Sequence, residues 1–238
     1  MHRWSEAATI RKTQIESGID ITFHKVFLPF YKNELHQIRP NNTIDIGCGT
    51  GHLIKYLADE LKFVIGIDPS KGMADIATNV VGDYATIYWS TVEKFETEIK
   101  FDLALSHLCL HTVNDLSSFL LAVHHLLNID GSFIFSIPHP CFWNNYKSCI
   151  SKDSYNYMEE KEVEMTLTIT KDKINEMVVP YIHRPLSSYF RLLVNSDFLV
   201  EEFHEVFPPQ DVQDLYDKPW QEPRYIIIKC RKKGDPLG

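Results

Sequence analysis

A chain of 238 residues with 44% hydrophobic and 24% charged side chains has the size and composition of a globular protein with one sizeable core. Its formal net charge of −8 disfavours general affinity for nucleic-acid backbones, which requires clustered lysine and arginine. The five cysteines contain no C-x-x-C pair, which disfavours a disulfide framework and a zinc finger and favours a reducing compartment.

The N-terminal segment predicts helices. It contains no apolar signal region, and no apolar run in the chain approaches the roughly 18 residues of a membrane helix. In the stretch FLPFYKNELHQI, apolar residues recur at helical spacing, and Pro29 suits a helix start. We therefore expect a cytoplasmic protein whose first 40 residues are helical.

Short β-rich runs then alternate with helical patterns. The predicted strands are TIDIG, KFVIGID, YATIYW, FDLALS and GSFIFSI, and the clearest helix between them is DLSSFLLAVHHLL. Strands that alternate with helices and are apolar on both faces indicate a parallel sheet that is covered on both sides.

The pattern changes after Pro138. The runs EVEMTLTIT and KINEMVVPYI predict an antiparallel ribbon that turns around Lys171–Asp172, and PLSSYFRLLVNS predicts a helix. Two strand-like runs, FLVEEFHEVF and RYIIIKCR, close the chain. We therefore expect an insert over residues 138–197, beside the sheet edge where α/β proteins bind ligands.

The stretch TIDIGCGTGHLIKYL places three glycines between a predicted strand and a predicted helix. Such a turn offers backbone N–H groups and a positive helix end to a ligand. A phosphate loop would require a lysine after Gly51, and a dinucleotide turn would require a glycine where His52 stands. Asp45 would repel a pyrophosphate but suits a cationic ligand.

The segment DIGCGTG resembles the first motif of class I S-adenosylmethionine-dependent methyltransferases. In that family the glycine loop lies against the amino-acid part of the cofactor, and the acidic residue sits by its methionine moiety. The resemblance continues to about Ile137 through VIGIDPS, YWSTVEKF and the segment from Phe101 to Ser136. More weakly, it extends to small-molecule enzymes of the ubiquinone and menaquinone biosynthesis type.

The resemblance implies a set of cofactor-binding residues. Asp68 ends the second predicted strand, where a carboxylate can accept hydrogen bonds from ribose hydroxyls. Met73 falls where the family places an apolar residue against adenine, and Ser90 replaces the commoner aspartate near the adenine amino group. The full set is Asp45, Gly47, Cys48, Gly49, Gly51, Asp68, Pro69, Met73, Ser90, Thr91, Val92, Ser106, His107 and Leu108.

The resemblance also implies the fold. It is α/β, a doubly wound, mostly parallel seven-stranded sheet of the Rossmann-like methyltransferase type, with an inserted antiparallel ribbon and helix after the fifth strand. We expect a single domain over residues 1–238. Its parts are a helical lid at 1–40, a cofactor-binding core at 41–137, a substrate-side insert at 138–197 and closing strands at 198–238.

Methyl transfer to a hydroxyl or ammonium group requires a base, and histidine suits because its ordinary pKa is about 6.5. Of the eleven histidines, His107, His111, His139 and His183 follow or precede elements that should face the donor. His139 and His183 are the preferred candidates, because PHP and HRP hold each between rigid or bulky neighbours. A structural role remains open for each.

The insert is rich in aromatic residues, which either fill a small core or line an acceptor pocket. They are Phe142, Trp143, Tyr146, Tyr155, Tyr157, Tyr181, Tyr189 and Phe190. Arg184 either binds an acceptor carboxylate or ties the insert down, and the tie is favoured. Trp4 and Arg11 are predicted parts of a lid over the cofactor.

The sequence therefore predicts transfer of a methyl group from S-adenosylmethionine to an O, N or C centre of a small molecule. No metal is expected. The segment SHLCL stands where adenine and glutamine methyltransferases carry Asn/Asp-Pro-Pro-Tyr, which with the acidic charge argues against nucleic-acid substrates. Two alternatives stay open: a non-catalytic cofactor-binding subunit, and a nicotinamide-dependent oxidoreductase.

Overall fold

A seven-stranded sheet forms the centre of the protein. The computed structural model describes residues 2–169 and 171–234, except the side chains of His2 and Lys173, so residues 235–238 of the predicted closing segment lie outside the described residues. The strands are β1 (Asn42–Ile46), β2 (Phe63–Asp68), β3 (Thr86–Trp89), β4 (Phe101–His107), β5 (Leu127–Pro138), β6 (Lys161–Ile169), β7 (Asp172–His183), β8 (Phe198–Val206) and β9 (Tyr225–Lys232). In the large sheet they follow the order β3-β2-β1-β4-β5-β9-β8.

Helices cover this sheet and precede it in the chain. The α-helices are α1 (His2–Glu16), α2 (Leu28–Ile38), α3 (His52–Leu57), α4 (Lys71–Val81), α5 (Leu116–Leu126), α6 (Trp143–Lys147), α7 (Leu186–Asn195) and α8 (Gln210–Gln213). A π-helix, Phe23–Phe27, leads directly into α2, where Pro29 occupies the first turn. Short 3₁₀ turns are Ala58–Glu60, Gly82–Tyr84, Val92–Lys94, Leu110–Thr112 and Lys152–Ser154.

The sheet is doubly wound, as predicted. β1 to β5 pair in parallel, whereas β9 runs antiparallel to both β5 and β8. Apolar side chains are buried on both faces: Phe133 and Phe135 pack in a cluster with α5, and Leu105 and Ile134 pack in a second cluster with α2 and α3. Burial on both faces explains the continuous apolar runs of the central strands.

The ribbon after β5 is a separate sheet. β6 and β7 pair antiparallel, and α7 follows them, which confirms the predicted inserted ribbon and helix. A cluster that includes Trp143, Met165 and Val179 of the insert also contains Ala7 of α1 and Met73 of α4. This cluster joins the ribbon to the N-terminal helix. The division at residues 40, 137 and 197 stays a prediction.

β5 begins earlier than the sequence indicates. Its strand starts at Leu127, four residues before the predicted run GSFIFSI, and Asp130 within these extra residues has a φ of 60°. The pairing with β4 shifts register between Phe101 and Leu103, which accommodates these extra residues. No helix among the described residues has the length and apolar character needed to cross a membrane.

Candidate active site

The glycine turn between β1 and α3 has the backbone geometry that only glycine adopts freely. Gly47, Gly49 and Gly51 have φ values of 73°, 55° and 75°. The N–H of Gly47 donates to the carbonyl of Ile67 at 2.8 Å, which ties the turn to the end of β2. A Cβ on Gly47 would overlap with Cys109 Sγ. A side chain at Gly47 is therefore excluded by space as well as by backbone conformation.

Asp45, at the end of β1, is a buried carboxylate without a partner. Its side chain is 1% exposed, and neither oxygen accepts a hydrogen bond from a described residue. Burial and, to a smaller extent, the nearby charge of Asp68 raise the pKa of Asp45 to about 7. An unpaired buried carboxylate is costly unless a cation joins it. The ammonium group of S-adenosylmethionine fits this requirement.

Asp68, at the end of β2, faces the same turn. Its Oδ2 accepts the N–H of Gly49 at 2.8 Å, and its Oδ1 accepts the N–H of Ser70 at 2.8 Å. Burial raises the pKa of Asp68 to about 6, against the lowering effect of these two hydrogen bonds. Each oxygen keeps further acceptor capacity, so the carboxylate fits the ribose hydroxyls as well as the turn.

One large cavity of about 590 Å³ lies at the carboxyl ends of the strands. All the predicted cofactor-binding residues except Gly51 and Ser106 line it: Asp45, Gly47, Cys48, Gly49, Asp68, Pro69, Met73, Ser90, Thr91, Val92, His107 and Leu108. Gly51 is not on that wall, and a Cβ at its position would crowd Val81 and Ala77 of α4. The motifs that are far apart in sequence therefore meet at one cavity.

Two predicted cofactor contacts use their hydroxyls within the protein. Ser106 is fully buried behind the cavity wall, and its hydroxyl donates to the carbonyl of Ile46 at 2.7 Å, joining β4 to β1. Ser90 lies on the wall, but its hydroxyl donates to the carbonyl of Thr91 at 2.9 Å. The predicted contacts of both side chains with the cofactor stay predictions. Because Ser106 does not line the cavity, its side chain has no direct access to a bound cofactor in this geometry.

His139 and His183, the predicted bases, are not on the cavity wall. The N–H of Cys141 donates to Nδ1 of His139, so Nε2 carries the proton that bonds Glu205 at 3.0 Å. His183 donates from Nε2 to the carbonyl of Tyr157 at 2.9 Å. Their role as bases stays a prediction, and these contacts fit anchors of the insert.

His107, at the end of β4, lies on the wall in a defined hydrogen-bond network. The hydroxyl of Ser136 accepts the N–H of Leu108 at 3.1 Å and the O–H of Tyr31 at 3.2 Å. Its own proton therefore points to Nδ1 of His107, 2.8 Å away. This assignment leaves the His107 proton on Nε2, which bonds no other described residue. Burial lowers the pKa of His107 to about 3, so the ring is neutral.

The segment after β4 is held by Arg184. Its guanidinium donates to the carbonyls of Leu110, Val113 and Asn114 and pairs with Glu160 at 3.0 Å. Arg184 therefore holds the insert against the segment after β4, which is the structural role that the sequence favoured. This tie fixes His111, which is buried on the cavity wall with an unpartnered Nδ1.

The N-terminal helix covers the cofactor end of the cavity. Trp4 and Arg11 both line it, and Arg11 pairs with Asp20 at 2.8 Å. Ser5 approaches α4 closely, with its hydroxyl 2.8 Å from that of Ser70. This position suits the lid that the sequence predicts.

The other end of the cavity has an aromatic wall that sequence reasoning found only in part. Trp143 and Tyr146 were predicted there, whereas the wall residues Phe27, Lys147, Tyr216, Trp220, Arg224 and Tyr225 were missed. The remaining predicted aromatics of the insert lie off the wall. The missed residues belong to no motif, and only the folded chain brings the N- and C-terminal segments together. Within the described part of the chain, no cluster of three or more His, Cys, Asp or Glu side chains could hold a metal ion.

Comparison with known proteins identifies the core of the chain. Residues 44–135 match the family described as methyltransferase domain. A Haemophilus influenzae protein of uncharacterised function is 27% identical over 222 residues, 83% of this chain and 84% of that protein. Human mitochondrial arginine-hydroxylase NDUFAF5 is 38% identical over 100 residues, but the match spans only 27% of that protein's length.

Solved structures have the same fold. An S-adenosylmethionine-dependent methyltransferase from Clostridium acetobutylicum superposes with a TM-score of 0.67 at 16% identity, over 96% of this chain and 98% of the other. The Burkholderia thailandensis 1,6-didemethyltoxoflavin-N1-methyltransferase, solved with its substrate and S-adenosylhomocysteine, gives 0.58 at 18% identity, over 95% and 87%. Residues 44–135 thus carry a methyltransferase domain, and the solved S-adenosylmethionine-dependent methyltransferases share the fold of the chain.

Proposed function

We propose that the protein transfers a methyl group from S-adenosylmethionine to an O, N or C centre of a small molecule. The observation that carries this proposal is one continuous cavity, with the unpaired Asp45 and glycine turn at one end and an aromatic wall at the other. A walled, mostly apolar space of this size suits a small molecule rather than a polymer. The Burkholderia thailandensis protein of the same fold, named as 1,6-didemethyltoxoflavin-N1-methyltransferase, supports the same class.

The cofactor residues have separate roles in this proposal. Asp45 pairs with the ammonium group, and the glycine turn lies against the amino-acid portion. Asp68 accepts hydrogen bonds from the ribose, and Met73 packs against adenine. When bound, the sulfonium supplies an electrophilic methyl group, and the acceptor's electron pair forms the new bond as the bond to sulfur breaks.

The protein's contribution to the reaction is alignment and exclusion of water. Holding donor and acceptor at about 3–3.5 Å in line supplies most of the acceleration for an acceptor that is already nucleophilic. His107 lines the cavity with its proton assigned to Nε2, and in this proposal that N–H donates to an acceptor oxygen or ring nitrogen. Because Nε2 of this neutral ring already carries a proton, it cannot accept one from the acceptor.

The proposal includes a cytoplasmic location and no nucleic-acid substrate. The five cysteines, all free, are compatible with a reducing compartment. The net charge of −8 disfavours binding to a phosphate backbone.

The test uses S-adenosylmethionine with a tritiated methyl group and measures which molecules become labelled. The protein is incubated with a cell extract separated into low-mass metabolites, protein and nucleic acid. We expect label in the low-mass fraction, and clearly less with Asp45→Asn, the control for donor binding, at a subsaturating concentration of S-adenosylmethionine. Label confined to protein or nucleic acid would contradict the proposal, and cofactor binding without transfer to any fraction would favour a non-catalytic subunit.

A further inference from the structure

Two cations on the aromatic wall have no acidic partner. Lys147 and Arg224 both line the cavity, and within the described part of the chain neither has a carboxylate oxygen within 4.0 Å. Arg11, on the same cavity, is by contrast paired with Asp20 at 2.8 Å. Glu162 also lines the cavity but pairs with neither cation.

Aromatic rings position Arg224. The carbon of its guanidinium lies 3.8 Å from the centre of the Tyr146 ring and 4.6 Å from that of Trp220. Stacking of this kind orients a guanidinium while leaving its N–H groups available. No described residue accepts a hydrogen bond from the Arg224 side chain. The aromatic rings therefore orient the guanidinium of Arg224 in the ligand-free protein.

Lys147 adds a second positive charge at the same ring. Its Nζ lies 5.1 Å from the centre of Tyr146 and donates to the carbonyl of Thr168 at 3.0 Å. Burial lowers the pKa of Lys147, with Arg224 a further contributor. Two partly buried cations close enough to repel one another are stabilised by a bound anion.

A row of rings connects these cations with His107. Trp143 and Tyr225 have centroids 5.3 Å apart, Tyr225 and Phe27 5.2 Å, and Phe27 and His107 4.5 Å. All four rings line the cavity, so the row gives a ring-containing molecule an aromatic wall to pack against. It also separates the cations from the end of β4, where the family places the methyl donor.

We propose that the acceptor is a planar, ring-containing acid whose carboxylate binds Arg224 and Lys147 and whose reacting atom lies near His107. This inference rests on the proposed function and specifies the substrate class of the same cavity. A carboxylate matches the guanidinium fork with two parallel hydrogen bonds, and Lys147 supplies a point charge beside it.

The test measures binding to protein saturated with S-adenosylhomocysteine, followed by the fluorescence of Trp143 and Trp220 and by calorimetry. The probes are benzoate, salicylate and nicotinate, their uncharged amides, and phenyl phosphate. We expect at least one acid to bind about tenfold or more tightly than its amide, since hydrogen bonds to a charged group are the stronger ones. Arg224→Gln should reduce that preference to about twofold or less.

Two further variants sharpen the test. Lys147→Met should weaken the preference for the acid in part, and the exposed Arg191→Gln should leave it unchanged. Variants whose affinity for S-adenosylhomocysteine is retained are correctly folded for this purpose. The inference is overturned if no acid binds better than its amide, if phenyl phosphate alone is preferred, or if Arg224→Gln retains the preference. Absence of S-adenosylhomocysteine binding by the native protein would overturn the proposed function as well.

Discussion

At the scale of single residues, the buried Asp45 carboxylate destabilises the ligand-free protein when it is charged. Its carboxyl has a pKa of about 7 when folded and 3.8 ordinarily. The folded state therefore holds a proton that the unfolded state has lost between these values. The contribution of this proton to the free energy of unfolding is fully present below about pH 4 and is lost as the pH rises through about 7.

We predict that Asp45→Asn stabilises the ligand-free protein at about pH 8 by roughly 1–3 kcal/mol, because it removes an unpaired buried charge. The free energy of unfolding from chemical denaturation measures this effect. The exposed Asp83→Asn is the matched control and should change stability by less than about 0.5 kcal/mol. A clear loss of stability in the Asp45 variant would indicate that the carboxylate has a structural partner.

The second residue-scale prediction concerns the proton of His107. Nitrogen-detected NMR of labelled protein should find this ring neutral and protonated at Nε2 from about pH 5 to about pH 8, since burial lowers its pKa to about 3. His107→Gln identifies the signal by its loss. A proton on Nδ1, or a ring that becomes charged near pH 6, would refute the network built on Ser136.

The sequence could predict the residues whose roles are local. Asp45, Gly47 and Asp68 stand out because a turn conformation and the end of a strand determine what they do. The tautomer of His107 and the free guanidinium of Arg224 could not be predicted. Each depends on side chains that are distant in sequence, such as Tyr31 and Tyr146, and on which hydrogen bonds are already occupied.

At the scale of elements, helix α1 packs against α4 at Gly72, which has no side chain. The Cβ of a residue replacing Gly72 would lie 2.8 Å from the carbonyl oxygen of Ser5. The N–H of Gly72 also donates to the hydroxyl of Ser5 at 3.1 Å. The contact brings the helix that carries Trp4 and Arg11 over the cofactor end of the cavity.

Gly72→Ala should therefore displace α1 and weaken binding of S-adenosylhomocysteine by roughly 3–10-fold, although alanine favours helix by about 1 kcal/mol. Stopped-flow measurement of the dissociation rate tests this, and an increase is expected. Asn79→Ala, on the exposed face of the same helix, is the control. Unchanged dissociation in the Gly72 variant would argue against α1 as a lid.

The elements of the sheet were predictable because the strands are continuously apolar and are separated by glycine turns and amphipathic helices. The start of β5 was not, since Asn128 and Asp130 have the composition of a turn. Pairing with β4 across a register shift overrides that local preference. The ribbon was visible as alternating polarity, but its packing against Ala7 and Met73 was not.

At the scale of the whole molecule, the cavity is assembled from distant parts of the chain. The β1–β4 strands supply the cofactor end, whereas α1, the π-helix, the ribbon and the segment before β9 supply the lid and the aromatic wall. The end with the glycine turn carries the family motifs, so the meeting of Asp45, Gly47 and Asp68 at one cavity could be expected from the sequence. The aromatic wall arises only from tertiary packing, so its cations and most of its rings could not.

The most direct test of this account is the affinity for S-adenosylmethionine as a function of pH, measured by calorimetry on the native protein and Asp45→Asn. For the native protein, affinity should fall about tenfold per pH unit below about pH 7, because protonated Asp45 cannot pair with the ammonium group. Asp45→Asn should bind at least about tenfold more weakly at about pH 8, with a flatter pH dependence. Absence of binding by the native protein, or an Asp45→Asn affinity equal to the native value at every pH, would contradict it.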